Sequence, residues 1–174
     1  LVYLTAEYIE FTGDYSILEE QTPYLIGKEL QENEDERYDK FDSAKETGSI
    51  YEHCIKAIER SLNFGKNGLP KIGSGDWNDG FSNVGPKGKG ESVWLGFFLY
   101  NVLDRFTKIM EHEKDNLTSK DENKNIEKQQ KNDNNNLNEE NNNQNKENIE
   151  SKIEKYKIIM QQLKKSLNTN GWDG

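Results

Sequence analysis

The chain has 174 residues, a formal net charge of −9, and equal hydrophobic and charged shares of 32%, which allows one modest domain but not a large enzyme with its own substrate domains. Its acidic balance, with no basic stripe to offset it, excludes nonspecific nucleic-acid binding, which needs Lys and Arg against phosphates. The lone Cys54 excludes an internal disulfide, His53 and His112 alone offer no recurring zinc spacing, and no apolar run reaches the roughly 18 residues of a membrane span.

In chain order, the first element is a helix over residues 1 to 12 that places Leu1, Leu4, Tyr8 and Phe11 on one side, with Gly13 where helices often end. Asp14 can cap a second short helix carrying Ile17 and Leu18, which Pro23 interrupts or follows. The acidic stretch from Gln31 to Lys40 reads as a solvated loop. Ser49-Ile50-Tyr51-Glu52 has the spacing of a capping box, so a helix starts there or a turn earlier. Its apolar stripe is Tyr51, Cys54, Ile55, Ile58 and Leu62, and Asn67-Gly68 closes it. Cys54 reads as a small core residue, and His53 beside it as a satisfied, partly buried histidine.

From Glu91 to Met110, Val93, Trp94, Phe97, Phe98, Val102 and Phe106 recur at spacings of three and four, which predicts a third amphipathic helix with Glu91 in its first turn and Trp94, Phe97 and Phe98 in the core. Residues 113 to 150 then turn into Asn, Lys, Glu and Gln, with too few apolar side chains to offset the entropy of ordering. They are expected to be a low-complexity, disordered insert. Ile153, Tyr156, Met160, Leu163 and Leu167 restore an apolar seam, so 151 to 174 is read as a helix returning to the same fold. Nothing in the chain reads as a β-sheet core, and the fold class expected is all-α. The chain opens at Leu1, inside a helical pattern and with no initiator Met, and closes on the turn-like Asn170-Gly171-Trp172-Asp173-Gly174. It is read as an internal fragment.

The chemistry is concentrated in Gly73-Ser74-Gly75-Asp76-Trp77-Asn78-Asp79-Gly80, followed by Gly88-Lys89-Gly90-Glu91-Ser92-Val93-Trp94. Flanking glycines allow turns that present Asp76 and Asp79 instead of burying them in a helix or strand. Trp77 offers an apolar face to the C–H side of a pyranose, and Asn78 and the carboxylates can hydrogen-bond hydroxyls. Each has a plainer reading as well. Asp79 can be a loop-capping aspartate, Asp76 can orient the loop through backbone amides, and Trp77 can be ordinary wall packing. Asn78 can simply tolerate the turn, and Glu91 can be a first-turn helix residue that does or does not touch sugar. Lys89 either attracts phosphate or faces solvent.

These segments, together with Gly68-Leu69-Pro70, Ala6 to Asp14, Tyr51 to Cys54 and the terminal Asn170 to Gly174, resemble glycoside hydrolase family 94 in content and order. That family comprises inverting β-glucoside phosphorylases once classed with the glycosyltransferases. The resemblance covers residues 1 to about 112 and about 151 to 174. Gly75 and the Gly88 to Trp94 run are most similar to members acting on β-1,2-linked glucans, either oligoglucan phosphorylases or the phosphorylase-like region of cyclic glucan synthases. It implies an (α/α)6 barrel, of which 1 to 112 would be a part with the general-acid loop at 73 to 80. It implies phosphate attack on the anomeric carbon of a β-glucosyl unit, giving α-glucose 1-phosphate with inversion. Asp79 matches the general acid, and Asp76, Trp77, Asn78 and Glu91 would bind substrate. An inverting attack needs one protonated carboxyl group at the leaving oxygen, and phosphate, already nucleophilic, removes the need for a catalytic base. A hydrolase would need a second carboxylate about 6.5–9.5 Å from the first. No metal or cofactor is expected, only inorganic phosphate as co-substrate. The partners expected are a β-linked glucan or disaccharide, phosphate, the remainder of the parent chain to complete the barrel, and a second parent subunit in a homodimer. A cytoplasmic location is expected, membrane-associated if the parent is a cyclic glucan synthase, and the isolated piece is expected to be inactive. Rival readings are an inverting hydrolase on a similar barrel and a non-catalytic helical carbohydrate-binding module.

Overall fold

The computed structural model describes residues 1–31, 34, 37–73, 83–131 and 137–171, and of 120–131 and 137–143 the backbone alone. The chain divides into two compact units, Leu1–Val102 with Gln162–Gly174, and Leu103–Gln161. Among the described residues there are four α-helices: α1 (Val2–Thr12), α2 (Ile50–Ser61), α3 (Val93–Lys131) and α4 (Leu137–Asn170). Among the described residues, no helix is long and apolar enough to cross a membrane.

In the first unit the helix ends follow local chemistry. Gly13 closes α1 in the left-handed conformation at φ 71°, its N–H donating to the carbonyl of Ile9. Asp14 then accepts from the backbone N–H of Ser16 and caps a 3-10 turn over Tyr15–Glu19. At α2 the expected capping box is complete: Ser49 Oγ accepts from the N–H of Glu52 at 3.1 Å, and Glu52 accepts from the N–H of Ser49 at 2.8 Å. Along α2, Cys54 and Ile58 are buried in the core, the Ile58 side chain contributing on the order of 1.5–3 kcal/mol.

Two expectations about apolar faces are corrected. On α1 the buried residues are Val2, Thr5, Ala6 and Ile9, while Leu4 is 70% and Phe11 93% exposed. Nearly every position of Val2–Thr12 except Glu7 and Glu10 can be buried, so spacing alone does not choose a face. Packing chooses the side with small residues, where the Cys54 thiol donates to Thr5 Oγ1 at 3.6 Å. In α3 the aromatic run Trp94, Phe97 and Phe98 is 40 to 52% exposed instead of core. Its buried face carries Leu99 and Val102, and Gly96 allows the approach of Leu167 and Leu69. Trp94 and Phe98 stack at 5.3 Å, and Tyr3 lies 5.9 Å from Phe98.

The all-α expectation is corrected by a two-stranded antiparallel sheet, β1 (Gln21–Ile26) and β2 (Asp42–Ser49), with Gln21 opposite Ser49 and Leu25 opposite Ser43. The register shifts between Pro23 and Leu25. Pro23 therefore follows the short helix Tyr15–Glu19, as one of the two expected placements had it, and lies in a strand, where its missing N–H costs little because each strand is an edge. The pairing is anchored to α2 by Tyr24, whose ring stands 4.2 Å from the His53 ring with Lys56 Nζ 3.7 Å from its centroid. His53 Nε2 is 2.9 Å from the carbonyl of Thr22, which bears out its reading as a satisfied, half-buried residue. The hairpin escapes a search for alternation because β2 is almost wholly polar.

In the second unit α3 and α4 run antiparallel, as the ion pairs Glu111–Lys157 at 2.7 Å and Lys114–Glu150 at 3.5 Å require. Phe106, Met110, Ile153 and Tyr156 are buried there, so the expected returning seam is present. The backbone is helical to Lys131 and again from Leu137, within the low-complexity stretch where no regular structure was expected. Glu, Lys and Gln have high helix propensity, and helix formation requires no apolar face once a nucleus exists.

Candidate active site

The loop expected to carry chemistry begins where α2 ends. That helix stops at Ser61, several residues before the Asn67-Gly68 expected to close it. A tight reversal follows. The N–H of Lys71 donates to Asn63 O at 2.9 Å, Gly65 N–H to Leu69 O at 2.9 Å, and Gly68 N–H to Gly65 O at 3.1 Å. Gly68 takes φ +74°, a conformation that favours glycine, and a Cβ there would stand 2.4 Å from Ser166 Oγ and oblige that hydroxyl to turn away. Asn170 Nδ2 donates to Asn67 O at 2.9 Å, which fastens the same turn to the last turn of α4.

Beyond the turn, the segment entering the loop pairs with the segment leaving it. Ile72 N–H donates to Gly90 O at 2.9 Å, Ser92 N–H donates to Pro70 O at 2.8 Å, and Lys71 bridges Glu91 in antiparallel fashion. The two segments then come closer still. A Cβ on Gly85 would meet Gly73 O at 2.3 Å, and within the outgoing segment one on Gly90 would meet Val84 O at 2.9 Å. Gly88 N–H closes a turn onto Gly85 O at 2.9 Å. A stretch of glycines and backbone hydrogen bonds thus makes a narrow neck between the segments that precede and follow positions 74–82 in the sequence. Asp76, Trp77, Asn78 and Asp79, the sequence candidates, lie outside the described residues.

Glu91 is the candidate that the structure does place. It stands two residues ahead of α3, not in the first turn, because Ser92 is the residue that caps the helix, its Oγ accepting from Leu95 N–H at 3.1 Å. The Glu91 carboxylate accepts from Asn67 N–H at 3.1 and 3.2 Å, from Asn67 Nδ2 at 3.1 Å, and from Leu69 N–H at 3.0 Å. Sequence reading missed this clamp because its partners are backbone amides more than 20 residues away. Lys89 is exposed.

Pro70 and Lys71, on the incoming side of the neck, also line a cavity of about 390 Å³ whose other walls include Ile58, Arg60, Phe98 and Leu99. Among the described residues, no three His, Cys, Asp or Glu side chains gather as a metal site would require. Burial pushes the Cys54 thiol above its ordinary value, with the Thr5 hydroxyl opposing the shift.

Comparison with known proteins gives the family. The chain is 42% identical over 116 residues to the cyclic beta-(1,2)-glucan synthase NdvB of Rhizobium meliloti (strain 1021), covering 66% of this chain and 4% of that protein. It is 35% identical over 103 residues to the solabiose phosphorylase of Paenibacillus borealis, covering 59% of this chain and 11% of the relative. It is 32% identical over 107 residues to the cellobionic acid phosphorylase of Neurospora crassa, covering 61% and 11%. The chain therefore spans only a small part of the length of these relatives. The profile of the glycosyl hydrolase 94 superfamily, catalytic domain, matches residues 1–143, more than half of the sequence, and the chain belongs to that superfamily.

Proposed function

We propose that the protein carrying this chain is an inverting phosphorylase of β-linked glucosides or glucans, a hexosyl transfer to inorganic phosphate. Residues 1–112 and 151–174 would form part of an (α/α)6 barrel, with the catalytic loop at 73–80 and the stretch 113–150 inserted between them. The observation that carries the reading is the neck: a catalytic-domain family match coincides with a loop whose two sides are held by paired backbone bonds and glycine contacts. Flanking segments fastened in this way suit a general acid carried between them, because effective proton donation requires a positioned donor.

In the proposed reaction the Asp79 carboxyl group gives its proton to the glycosidic oxygen as the C1–O bond breaks. A phosphate oxygen forms the new bond to C1 from the opposite face, leaving α-glucose 1-phosphate, a free sugar hydroxyl and the Asp79 carboxylate, which regains a proton from solvent or phosphate. Asp76, Trp77 and Asn78 would hold the glucosyl unit, Trp77 against its apolar face. Similarity to a cyclic beta-(1,2)-glucan synthase favours a β-1,2-linked glucan as the substrate. The whole protein would act in the cytoplasm, or at the membrane in a synthase-type parent, and as a homodimer.

The test is Asp79→Asn in the full-length protein, assayed for glucose 1-phosphate release from β-1,2-oligoglucans. The loss expected is about 10²–10⁴-fold in kcat, the usual contribution of a positioned acid. Release of glucose without dependence on phosphate would indicate a hydrolase instead. Glucan affinity retained in Asp79→Asn, together with no turnover in the unsubstituted protein, would indicate a binding module.

A further inference from the structure

Glu91 joins two segments that the sequence keeps far apart. Its carboxylate takes three donors, Asn67 N–H, Asn67 Nδ2 and Leu69 N–H, all on the turn that leads into the loop. Glu91 itself belongs to the segment that leads out, opposite Lys71. The side chain lies flat over Gly65, where a Cβ would stand 2.2 Å from the carboxyl carbon. Only a residue without a side chain leaves that path open.

We propose that Glu91 is a positioning residue, which locks the incoming turn to the outgoing segment and so fixes the separation of the two ends between which the catalytic loop runs. This role rests on the reading of Asp79 as general acid and replaces the sugar contact expected of Glu91. The carboxylate is chemically suited to the task. Three donors converge on it, and two ionised oxygens offer enough lone pairs for all of them, with charge-assisted strength. Glutamine has one acceptor oxygen and would turn an NH₂ group toward N–H donors. Aspartate lacks a methylene and falls short of the turn. The clamp also explains the glycine at 65, since any larger residue would displace the carboxyl group.

Two substitutions in the full-length protein test it, Glu91→Gln, which removes acceptor capacity, and Gly65→Ala, which pushes the carboxylate away while leaving its charge. In each, hydrogen exchange at the amides of Asn67 and Leu69 should quicken about tenfold or more, as expected for loss of a charge-assisted bond. Phosphate-dependent cleavage should fall about tenfold or more in kcat with KM changed less than about threefold, since a misplaced acid slows chemistry without removing a sugar contact. Unaltered exchange at both amides in either variant overturns the clamp. A rise in KM at constant kcat also overturns it, by making Glu91 a sugar ligand. Asp79→Asn is measured beside them: if it retains full activity the phosphorylase reading fails, while the exchange rates still decide the clamp.

Discussion

Gly85→Ala is a direct perturbation of the neck. The added Cβ would sit 2.3 Å from Gly73 O and 3.0 Å from Ile72 Cβ, about 1 Å inside ordinary contact with a backbone oxygen, which cannot rotate away as a side chain can. Relief requires the incoming segment to retreat by a similar distance. The bond from Ile72 N–H to Gly90 O, now 2.9 Å, would then stretch beyond hydrogen-bonding range. Overpacking of this kind costs about 1–3 kcal/mol, of which about 1 kcal/mol is the lost hydrogen bond. Gly73→Ala is the control, because nothing lies within 4 Å of its Cβ and only the left-handed φ of +72° opposes the change, at roughly 1–2 kcal/mol. Native-state hydrogen exchange at Ile72 and Ser92 separates the two. Gly85→Ala should speed exchange at Ile72 about fivefold or more, whereas Gly73→Ala should lower the denaturation midpoint without a selective effect there. If Ile72 exchanges at the same rate in Gly85→Ala and in the unsubstituted chain, the two sides of the loop are not held in contact and the argument for a rigid neck is wrong.

Further outcomes are expected elsewhere in the molecule. Ser49→Ala removes the cap from Glu52 N–H and should cost about 1 kcal/mol in chemical denaturation; Ser49→Asp should restore most of it. Ile58→Ala, at a site 2% exposed, should cost about 2–5 kcal/mol, whereas Leu4→Ala, 70% exposed in this chain, should stay within about 0.5 kcal/mol; equal losses would contradict the assignment of the α1 face. Burial raises the Cys54 thiol above its unfolded value, so its contribution to stability is complete below the unfolded thiol value and is lost as pH rises from there through the folded one. Urea midpoints taken across the alkaline range should fall more steeply for the unsubstituted chain than for Cys54→Ala, and thiol reagents at neutral pH should modify Cys54 only as fast as the chain opens.

Local order was legible wherever a single residue type answers a single backbone need. Gly13 ends α1, Asp14 and Ser49 begin the elements after them, and Cys54, Ile58, Ile153, Tyr156 and Leu163 are buried as their spacing requires. The family that matches residues 1–143 was legible as well, from motifs that include the glycine-bracketed run Gly73 to Gly80. Choices between equivalent local solutions were not. Helix α1 and the start of α3 carry apolar residues around most of their circumference, so only the partner surface decides that Val2, Ala6 and Ile9 go inward while Phe11 and Phe97 do not. The polar strand Asp42–Ser49 is a strand because β1 lies alongside it and Tyr24 packs on His53, not because of alternation within it. Glu91 carries the same lesson: its place in the sequence suggests a ligand or a helix terminus, whereas its hydrogen-bond partners are amides of Asn67 and Leu69 that only folding brings to it. Sequence determines what each backbone segment can do locally because caps and turns are satisfied within a few residues; burial and long-range hydrogen bonding are shared between distant segments, and only the folded chain settles them.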